Sequence, residues 1–176
     1  MTREQLEHAI RAACEIANDD AVYVVGSQAI LGQFPDAPEP LLTSMEADVI
    51  PVNNRDRTDA IDGAIGELSR FAATFDFDVH GLSLEAVTLP TGWRDRVVEV
   101  RDAVGTRGKR GLCLEAHDLA ASKLAAFRQK DRDFVRTLLT SGLVKAETLL
   151  QRVGTLPLSA EERERRVRWV ALTTKR

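Results

Sequence analysis

The chain has 176 residues, of which 44% are hydrophobic and 29% charged, which is enough for one domain with a hydrophobic core or two small lobes that share one. No apolar run approaches the roughly 20 residues of a membrane span, and the N-terminus has no signal-like apolar region, so we expect a cytoplasmic protein without a membrane partner. Cys14 and Cys113 lie in separate apolar patterns, which favours buried thiols over a disulfide or a zinc site.

The net charge of −3 hides an uneven distribution along the chain. Residues 1–93 carry 5 Lys and Arg against 16 Asp and Glu, whereas residues 94–176 carry 19 against 11. An acidic half is typical of a carboxylate metal site, and a basic half is typical of a surface that meets polyphosphate or RNA. Two halves that face each other through solvated charge would have the same composition, so charge alone does not choose between these interpretations.

The first elements are a helix, a strand and a turn. Residues 3–17 carry apolar side chains at helical spacing, and residues 21–25 are β-formers in a run too short for a buried helix. Gly26 and Ser27 follow as a turn, with Ser27 as the predicted N-cap of a helix over residues 28–33. A strand that runs through Gly-Ser into a helix leaves backbone N–H groups free for a phosphate, although many α/β proteins share this pattern without binding one.

A second strand is predicted over residues 44–52, after a proline-rich loop. Because side chains alternate across a strand, Ser44, Glu46 and Asp48 are expected on one face. Two carboxylates so close repel each other unless they are solvated, share a proton or are bridged by a cation. An exposed edge strand is the simpler explanation, and a divalent metal beside a nucleotide is the functional one.

A helix over residues 58–72 and a third strand over residues 75–80 follow. Strict alternation predicts that the odd-numbered side chains of this strand are buried, with Asp76, Asp78 and His80 on the opposite face. These three side chains are candidates for a third metal ligand or a general base. For His80 a hydrogen bond to the backbone at the strand end is the favoured alternative.

The remaining strands are predicted to be short. They cover residues 85–89, 95–101 and 112–114, and a basic loop over residues 105–111 precedes the last of them. From residue 115 onward the pattern becomes helical. The four predicted helices are one capped by Asp118 and extending to about residue 127, one over about 134–141, one over 145–153, and one opened by a capping box at Ser159 and Glu162.

These elements predict an α+β fold in which a mixed β-sheet is flanked by helices. The predicted α/β core spans residues 1–114, and a helical lobe over residues 115–176 is expected to pack on it as a single compact unit. Neither a Rossmann fingerprint nor a P-loop is present. A coherent set for phosphoryl transfer is nevertheless present: Glu46 and Asp48 for Mg²⁺, Gly26-Ser27 for a terminal phosphate, and Lys123 with Arg128 for the triphosphate.

Two motifs resemble a known family. Gly26-Ser27 followed by Ser44-x-Glu46-x-Asp48 resembles the Gly-Ser…Thr/Ser-x-Asp-x-Asp signature of the nucleotidyltransferase superfamily, which has a DNA polymerase β-like fold, although the first carboxylate here is Glu instead of Asp. The segment from His117 to Asp131 is similar to the His-Asp-Leu…Lys-Leu-x-Ala…Arg…Lys-Asp segment of a subgroup related to the AbiEii and MenT toxins of type IV toxin–antitoxin systems. Residues 89–96 also resemble that subgroup, and the resemblance covers about residues 20–140.

The resemblance implies an enzyme that transfers NMP from an NTP with Mg²⁺ as cofactor. Ser44 matches a position at which some toxins of the group are phosphorylated by a partner antitoxin that resembles a kinase, and Asp133 competes with Asp131 for the downstream acidic position. The implied catalytic residues are Glu46, Asp48, Lys123 and Asp131, with Glu46 and Asp48 as metal ligands, and the implied nucleotide-binding residues are Gly26, Ser27, Ser44, Lys123 and Arg128.

The resemblance also suggests the acceptor and the partners. A tRNA or another RNA 3′ end is the expected acceptor, and a cognate antitoxin is a further expected partner. Arg107, Lys109, Arg110 and residues 163–168 form the candidate RNA surface, although a solvated helix face would have a similar pattern. The alternatives are NMP transfer to a protein side chain in a toxin–antitoxin pair, and a degenerate fold that binds a nucleotide or a partner without catalysis.

Overall fold

The computed structural model describes residues 1–174 and contains a five-stranded mixed β-sheet flanked by helices, with a helical region toward the C-terminus. This architecture confirms the predicted fold class. Residues 175 and 176 of the predicted helical lobe lie outside the described residues.

The secondary-structure elements are numbered in chain order. The strands are β1 (Ala21–Val24), β2 (Glu46–Pro51), β3 (Asp78–Gly81), β4 (Val98–Val100) and β5 (Arg110–Cys113). The helices are α1 (Arg3–Ala17), α2 (Ile30–Gln33), α3 (Thr58–Ile65), α4 (Arg70–Phe75), α5 (Ala116–Ala126), α6 (Gln129–Thr140), α7 (Ala146–Gly154) and α8 (Ala160–Thr173).

The strand order explains why distant parts of the sequence meet at one edge of the sheet. The order is β3-β2-β1-β5-β4, in which β1 is antiparallel to β2 and parallel to β5, while β2 and β3 are parallel. The end of β1 therefore lies beside the start of β2, where the Val25 N–H donates to the Asp48 carbonyl at 3.0 Å. All four residues of β1 are buried, as expected for a central strand. The Gly26-Ser27 turn consequently leaves the sheet next to Glu46 and Asp48.

The predicted helix over residues 58–72 is divided into two helices. α3 ends at Ile65, Gly66 follows with extended backbone, and Leu68 adopts a left-handed conformation (φ 64°) with 96% of its surface exposed. The Ser69 side chain then caps α4 by accepting from Ala72 N–H. The apolar periodicity runs across the break because both short helices face the same core, and periodicity alone does not reveal the turn between them.

The third strand begins later than predicted. Phe75 is the last residue of α4 and is 43% exposed, whereas Asp76 ends that helix in a left-handed conformation (φ 59°). Only Asp78 to Gly81 pair with β2, so Asp76 does not share the strand face of Asp78 and His80. The alternation of residues 75–77 therefore does not reflect strand structure, although Phe77 is buried as predicted.

Two further short elements differ from the prediction. The expected strand over residues 85–89 is absent, and a 3₁₀ turn at Leu84–Ala86 occupies its start. The expected strand over residues 95–101 is reduced to β4, which follows a 3₁₀ turn at Trp93–Arg96. A strand needs a partner edge as well as β-forming residues, and no local pattern reveals whether such an edge is available. Segment composition therefore overestimates the size of the sheet.

The helical region contains two differences that affect the site. Glu115 caps α5 by accepting from the His117 and Asp118 N–H groups, so Asp118 is not the cap. α6 begins at Gln129, five residues before the predicted start, which places Asp131 in its first turn. The capping box at Ser159 and Glu162 is confirmed at the start of α8.

The two cysteines have the buried positions that their apolar surroundings predict. Cys14 and Cys113 are both buried and free, and burial raises the pKa of each thiol to about 12. Within residues 1–174, no helix combines the length and the apolar character that crossing a membrane requires.

Candidate active site

A cavity of about 690 Å³ lies where the start of β2 meets the Gly26-Ser27 turn and the helices α5 and α6. It gathers seven of the eight residues predicted to be catalytic or nucleotide-binding. The predicted residues that line it are Ser27, Ser44, Glu46, Asp48, Lys123, Arg128 and Asp131. Gly26 lines an adjoining cavity of about 270 Å³ that also touches Asp48 and Lys123.

Gly26 is required by space and not by backbone conformation. Its φ of −81° is accessible to any residue, but a Cβ at this position would overlap the Asp48 carboxylate and its Cβ. The Asp48 side chain is therefore held directly against the backbone of the turn. The Asp48 side chain is 21% exposed and lines the cavity.

The carboxylates of Glu46 and Asp48 come close on one side of β2. The pKa of Glu46 is raised, first because partial burial disfavours the charged form and then because the Asp48 charge is nearby. Together with His80, these two residues offer ligand atoms within 4.8 Å of one another. Carboxylate oxygens are the ligands that Mg²⁺ prefers, so the pair fits the expected cofactor.

The neighbouring strand β3 provides the rest of this acidic corner. Parallel pairing places Asp78 opposite Glu46 and His80 opposite Asp48. Asp78 lines a smaller cavity with Glu67, and its pKa is raised by burial and then by the charges of Glu46 and Glu67. Of the candidates for a third ligand, only His80 belongs to the group of close ligand atoms, and Asp76 lies outside the strand.

The surroundings of His80 differ from the favoured sequence interpretation. Its Nδ1 lies 3.6 Å from Asp48 Oδ1, and its Nε2 lies 3.7 Å from Asp62 Oδ2. The ring therefore lies between two carboxylates and not against a backbone group. Asp62 is itself fixed, because its Oδ1 accepts from the Gly81 N–H at 2.7 Å.

Lys123 connects the helical region to the turn after β1. Its Nζ donates to Ser27 Oγ at 2.7 Å and lies 3.7 Å from Asp131 Oδ1. Burial lowers the pKa of Lys123, while the charges of Asp131 and Asp48 act in the opposite direction. The Ser27 hydroxyl thus accepts from a lysine 96 positions away in the sequence and does not cap a helix, which corrects the predicted N-cap.

Asp131, and not its competitor Asp133, has the buried position in this network. Asp131 is 1% exposed and accepts from Arg128 Nε at 2.7 Å, in addition to its approach to Lys123. Asp133 is exposed at the cavity rim and pairs with Gln129 and Arg136. The difference follows from the early start of α6, because its first turn points Asp131 toward α5.

Two buried networks hold α5 in position. Near its start, the fully buried Asp118 accepts from Arg96 at 2.8 and 3.0 Å and approaches Arg152 Nε of α7 at 3.1 Å. At its C-terminal end, Arg166 of α8 donates to the carbonyls of Leu124 and Ala125 at 3.1 Å each. Lys123 therefore lies on a helix that is fixed at both ends.

The sequence did not single out Asp62 or Phe134 as residues of this region. Phe134 lines the large cavity and lies 5.4 Å from Lys123 Nζ, whereas Asp62 belongs to the polar face of α3. No sequence signal separates Asp62 from other acidic residues of that helix. The grouping of His80 with Glu46 and Asp48 does have a signal, because Glu46-x-Asp48 and Asp78-x-His80 have the same spacing on two neighbouring strands.

The predicted basic surface divides into two regions with different partners. In the loop after β4, Lys109 pairs with Asp20 at 2.7 Å and Arg107 lies 4.0 Å from Glu15. Arg110, which was predicted in the same loop, is the first residue of β5 and pairs with Glu99 at 2.9 Å. Acidic neighbours therefore offset the charge of this loop.

Arg165 of α8, from the predicted stretch 163–168, instead joins Arg132 and Arg136 of α6, which were not part of the prediction, around two aromatic rings. Arg132 and Arg165 each lie 5.0 Å from the Phe127 ring centroid, and Arg136 lies 5.8 Å from that of Trp169. Among residues 1–174, no carboxylate oxygen lies within 4.0 Å of a side-chain nitrogen of Arg132 or Arg165. We refer to Arg132, Arg136 and Arg165 with these two rings as the arginine–aromatic surface.

A mixed sheet with a Gly-Ser turn against a carboxylate-bearing strand, completed by a helical region, defines a nucleotidyltransferase-like fold. The sequence comparison agrees with this class: the chain belongs to the family described as "Nucleotidyltransferase of unknown function (DUF6036)", whose model matches residues 4–174. No curated protein and no solved structure matches the chain.

Proposed function

We propose that this protein is a Mg²⁺-dependent enzyme that transfers NMP from an NTP to an acceptor hydroxyl. The observation that carries the proposal is the convergence of opposite charges in one cavity. Glu46 and Asp48 lie on one side, and Lys123, bonded to Ser27 and close to Asp131, lies on the other. Such a site can hold a cation against phosphate oxygens and neutralise the remaining phosphate charge.

Each side chain has a defined role in the proposal. Glu46 and Asp48 hold the metal, which when bound supplies a positive charge between the phosphates. Ser27 and the N–H groups of its turn contact phosphate oxygens, and Lys123 neutralises the triphosphate. Gly26 keeps the turn close to Asp48, Ser44 borders the nucleotide at the cavity mouth, and Arg128 adds positive charge there.

The proposed step is an in-line displacement at the α-phosphorus. The acceptor oxygen forms a bond to this phosphorus, the bond to the oxygen that bridges the α- and β-phosphates breaks, and pyrophosphate leaves with that electron pair. The hydroxyl proton is released to water. Lys123 stabilises the charge that develops on the pyrophosphate, and Asp131 orients both Lys123 and Arg128 for this task.

An RNA 3′ end is the proposed acceptor, which would make the protein similar in function to the toxins that its motifs resemble. The arginine–aromatic surface supports this choice, because bases stack on aromatic rings and guanidinium groups while arginines contact the backbone. Arg132 and Arg136 are spaced four residues apart and so share one side of α6, while Arg128 immediately precedes this helix and lines the cavity. A cognate antitoxin remains part of the same proposal.

The catalytic proposal is tested by incubating the protein with each α-labelled NTP, Mg²⁺ and total tRNA. We expect one labelled RNA species, and we expect Asp48→Asn and Lys123→Met to reduce labelling by at least about 100-fold. Asp59→Asn is the matched control, since it removes an exposed carboxylate from α3 outside the cavity. If nothing is labelled, and NTP binding is the same in wild type and Asp48→Asn, the protein is a degenerate member without catalysis.

The RNA surface is tested separately by salt dependence. Arg132→Ala with Arg165→Ala should weaken RNA binding and reduce the slope of log affinity against log salt by about 2, because two phosphate contacts are lost. Arg107→Ala with Arg110→Ala is the matched control and should leave the slope nearly unchanged. If the Arg107 and Arg110 substitutions reduced the slope more than the Arg132 and Arg165 substitutions did, the RNA would bind at the loop after β4 and the start of β5.

A second acceptor class has one observation in its favour. The smaller cavity beside Glu46 is lined by Asp62, Glu67, Asp78 and His80, and this negative surface would repel RNA phosphates but accept a basic protein segment. In the same labelling experiment, transfer to a hydroxyl of a protein side chain would appear as labelled protein. Labelled protein without labelled RNA would favour this second function.

A further inference from the structure

His80 and the two carboxylates of β2 form a compact set of metal ligands. The equal spacing of Glu46-x-Asp48 and Asp78-x-His80 is brought into register by parallel pairing, so His80 lies directly opposite Asp48. One ligand atom from each of Glu46, Asp48 and His80 lies within 4.8 Å of the others. The Nδ1 of His80 is 3.6 Å from Asp48 Oδ1, which is close enough for both atoms to reach one cation after a small rotation.

The second ring nitrogen of His80 has the surroundings that ligating histidines usually have. Such histidines present one nitrogen to the metal and direct the other toward a carboxylate or carbonyl oxygen. Here Nε2 is 3.7 Å from Asp62 Oδ2, and Asp62 is fixed by the Gly81 N–H at 2.7 Å. The chain thus has an anchored carboxylate behind the imidazole and a carboxylate pair in front of it.

An imidazole in this position changes which cation the site prefers. Mg²⁺ is a hard cation that selects oxygen ligands and gives up its water reluctantly, so it gains little from a ring nitrogen. Divalent transition-metal ions form stronger bonds to imidazole, and Mn²⁺ also accepts carboxylates and water. A set of two carboxylates and one imidazole therefore suits Mn²⁺ better than Mg²⁺.

We propose that His80 is a third metal ligand and that it makes this site bind Mn²⁺ more tightly than Mg²⁺. This inference rests on the metal site of the proposed function and concerns its selectivity. The half-exposed side chain of His80 leaves the ring free to rotate onto the cation. His80→Asp would give the site three carboxylates, the set of ligands with which Mg²⁺ competes best against Mn²⁺.

The test measures metal binding by the nucleotide-free, untagged chain of 176 residues, so it does not depend on activity. Calorimetric titrations with Mn²⁺ and Mg²⁺ give two dissociation constants for wild type, His80→Asp, Asp48→Asn and the control Asp59→Asn. We expect wild type and Asp59→Asn to prefer Mn²⁺ by at least about tenfold and His80→Asp to lose most of that preference. Pulsed electron paramagnetic resonance of bound Mn²⁺ should show coupling to a ¹⁴N nucleus in wild type and none in His80→Asp.

The outcomes separate this inference from the function on which it rests. If His80→Asp keeps both the Mn²⁺ preference and the ¹⁴N coupling, or if wild type has neither, His80 is not a ligand. If His80 is not a ligand but Asp48→Asn weakens metal binding, the carboxylate site of the proposed function is retained and only the role of His80 is wrong. If Asp48→Asn also leaves metal binding unchanged, or if wild type binds neither Mn²⁺ nor Mg²⁺, the metal site of the proposed function is wrong as well.

Discussion

Lys123 illustrates how one residue acquires its role from distant parts of the chain. On α5 it is a mostly buried cation, and burial lowers its pKa while Asp131 and Asp48 favour its charged form. Its hydrogen bond to Ser27 joins the helical region to the turn after β1. In the proposed reaction, a positive group held in this way would need little reorganisation when a phosphate binds, which is the property that stabilises developing charge.

At Gly26 we predict that one added methyl group disables the site. Gly26→Ala would push the Asp48 carboxylate away from its position, and a displacement of about 1 Å can reduce a reaction rate by roughly 100-fold. Labelled-NTP transfer measures this loss, and circular dichroism should show unchanged secondary structure. Gly63→Ala is the matched control, because a Cβ there meets nothing within 4 Å. Full activity in Gly26→Ala would contradict the proposed role of this contact.

At Asp19 we predict a stability change at acidic pH. Burial would raise the pKa of Asp19, but the N–H groups of Asn54, Asn53 and Ala21 and the Asn53 side chain outweigh it and lower the pKa to about 2. The unfolded chain has the ordinary value of 3.8, so Asp19 stabilises the fold above that pH and the contribution disappears as the pH falls toward about 2.

The lowered pKa of Asp19 corresponds to about 2 kcal/mol in the free energy of unfolding. Between pH 5 and pH 2, denaturant titrations should show that wild type loses about this much more stability than Asp19→Asn does. Asp20→Asn serves as the control, since its carboxylate is exposed and its loss should leave the pH dependence of wild type intact. Equal pH dependence in wild type and Asp19→Asn would show that the folded state does not favour the charged carboxylate through these hydrogen bonds.

At the scale of elements, the break between α3 and α4 leads to a stability prediction opposite to the one that the apolar pattern of this segment would give. Leu68 would be a core residue of one long helix, but it is 96% exposed with a φ of 64°. Leu68→Gly should raise the free energy of unfolding by about 0.5–1 kcal/mol, because glycine adopts the left-handed conformation without strain. Chemical denaturation measures this change.

The control for this prediction is a second exposed leucine in a regular helix. Leu172 is 63% exposed within α8, where glycine should lower stability by about 1 kcal/mol. A destabilising effect of Leu68→Gly would mean that the two helices are joined differently from the structure. α3, which ends before the break, carries the Asp62 carboxylate that lies 3.7 Å from His80 Nε2.

For the whole molecule, we propose that the α/β core and the helical lobe unfold as a single unit. Asp118 of α5 is bound by Arg96 from the core and by Arg152 from the lobe, and Lys123 adds a bond to Ser27. A buried charge pair strongly destabilises a protein when one partner is lost, by about 3–5 kcal/mol. If either half unfolded alone, Asp118 would lose at least one of its arginine partners, and this free-energy cost couples the two halves.

Two tryptophans allow this proposal to be tested. Trp93 packs on Tyr23 in the core with ring centroids 4.8 Å apart, whereas Trp169 lies on α8 near Phe127. In Trp93→Phe and in Trp169→Phe, the fluorescence of the remaining tryptophan should follow the same denaturation curve as circular dichroism. Separate transitions for fluorescence and circular dichroism would indicate two independently stable units.

The fold class and most candidate residues could be predicted from the sequence, because they depend on local patterns. The apolar spacing of α1, the acidic pair at Glu46 and Asp48, and the capping box of α8 follow from neighbouring residues. The motifs that resemble nucleotidyltransferases also agree with the family to which the chain belongs.

The tertiary structure alone decided which side chains meet. Strand register placed His80, and not Asp76, beside the acidic pair, and the start of α6 buried Asp131 while leaving Asp133 exposed. The break after α3 and the loss of a strand at residues 85–89 were likewise set by packing. Periodicity records which face of a segment is apolar, whereas register, helix ends and charge partners depend on residues far away in the chain.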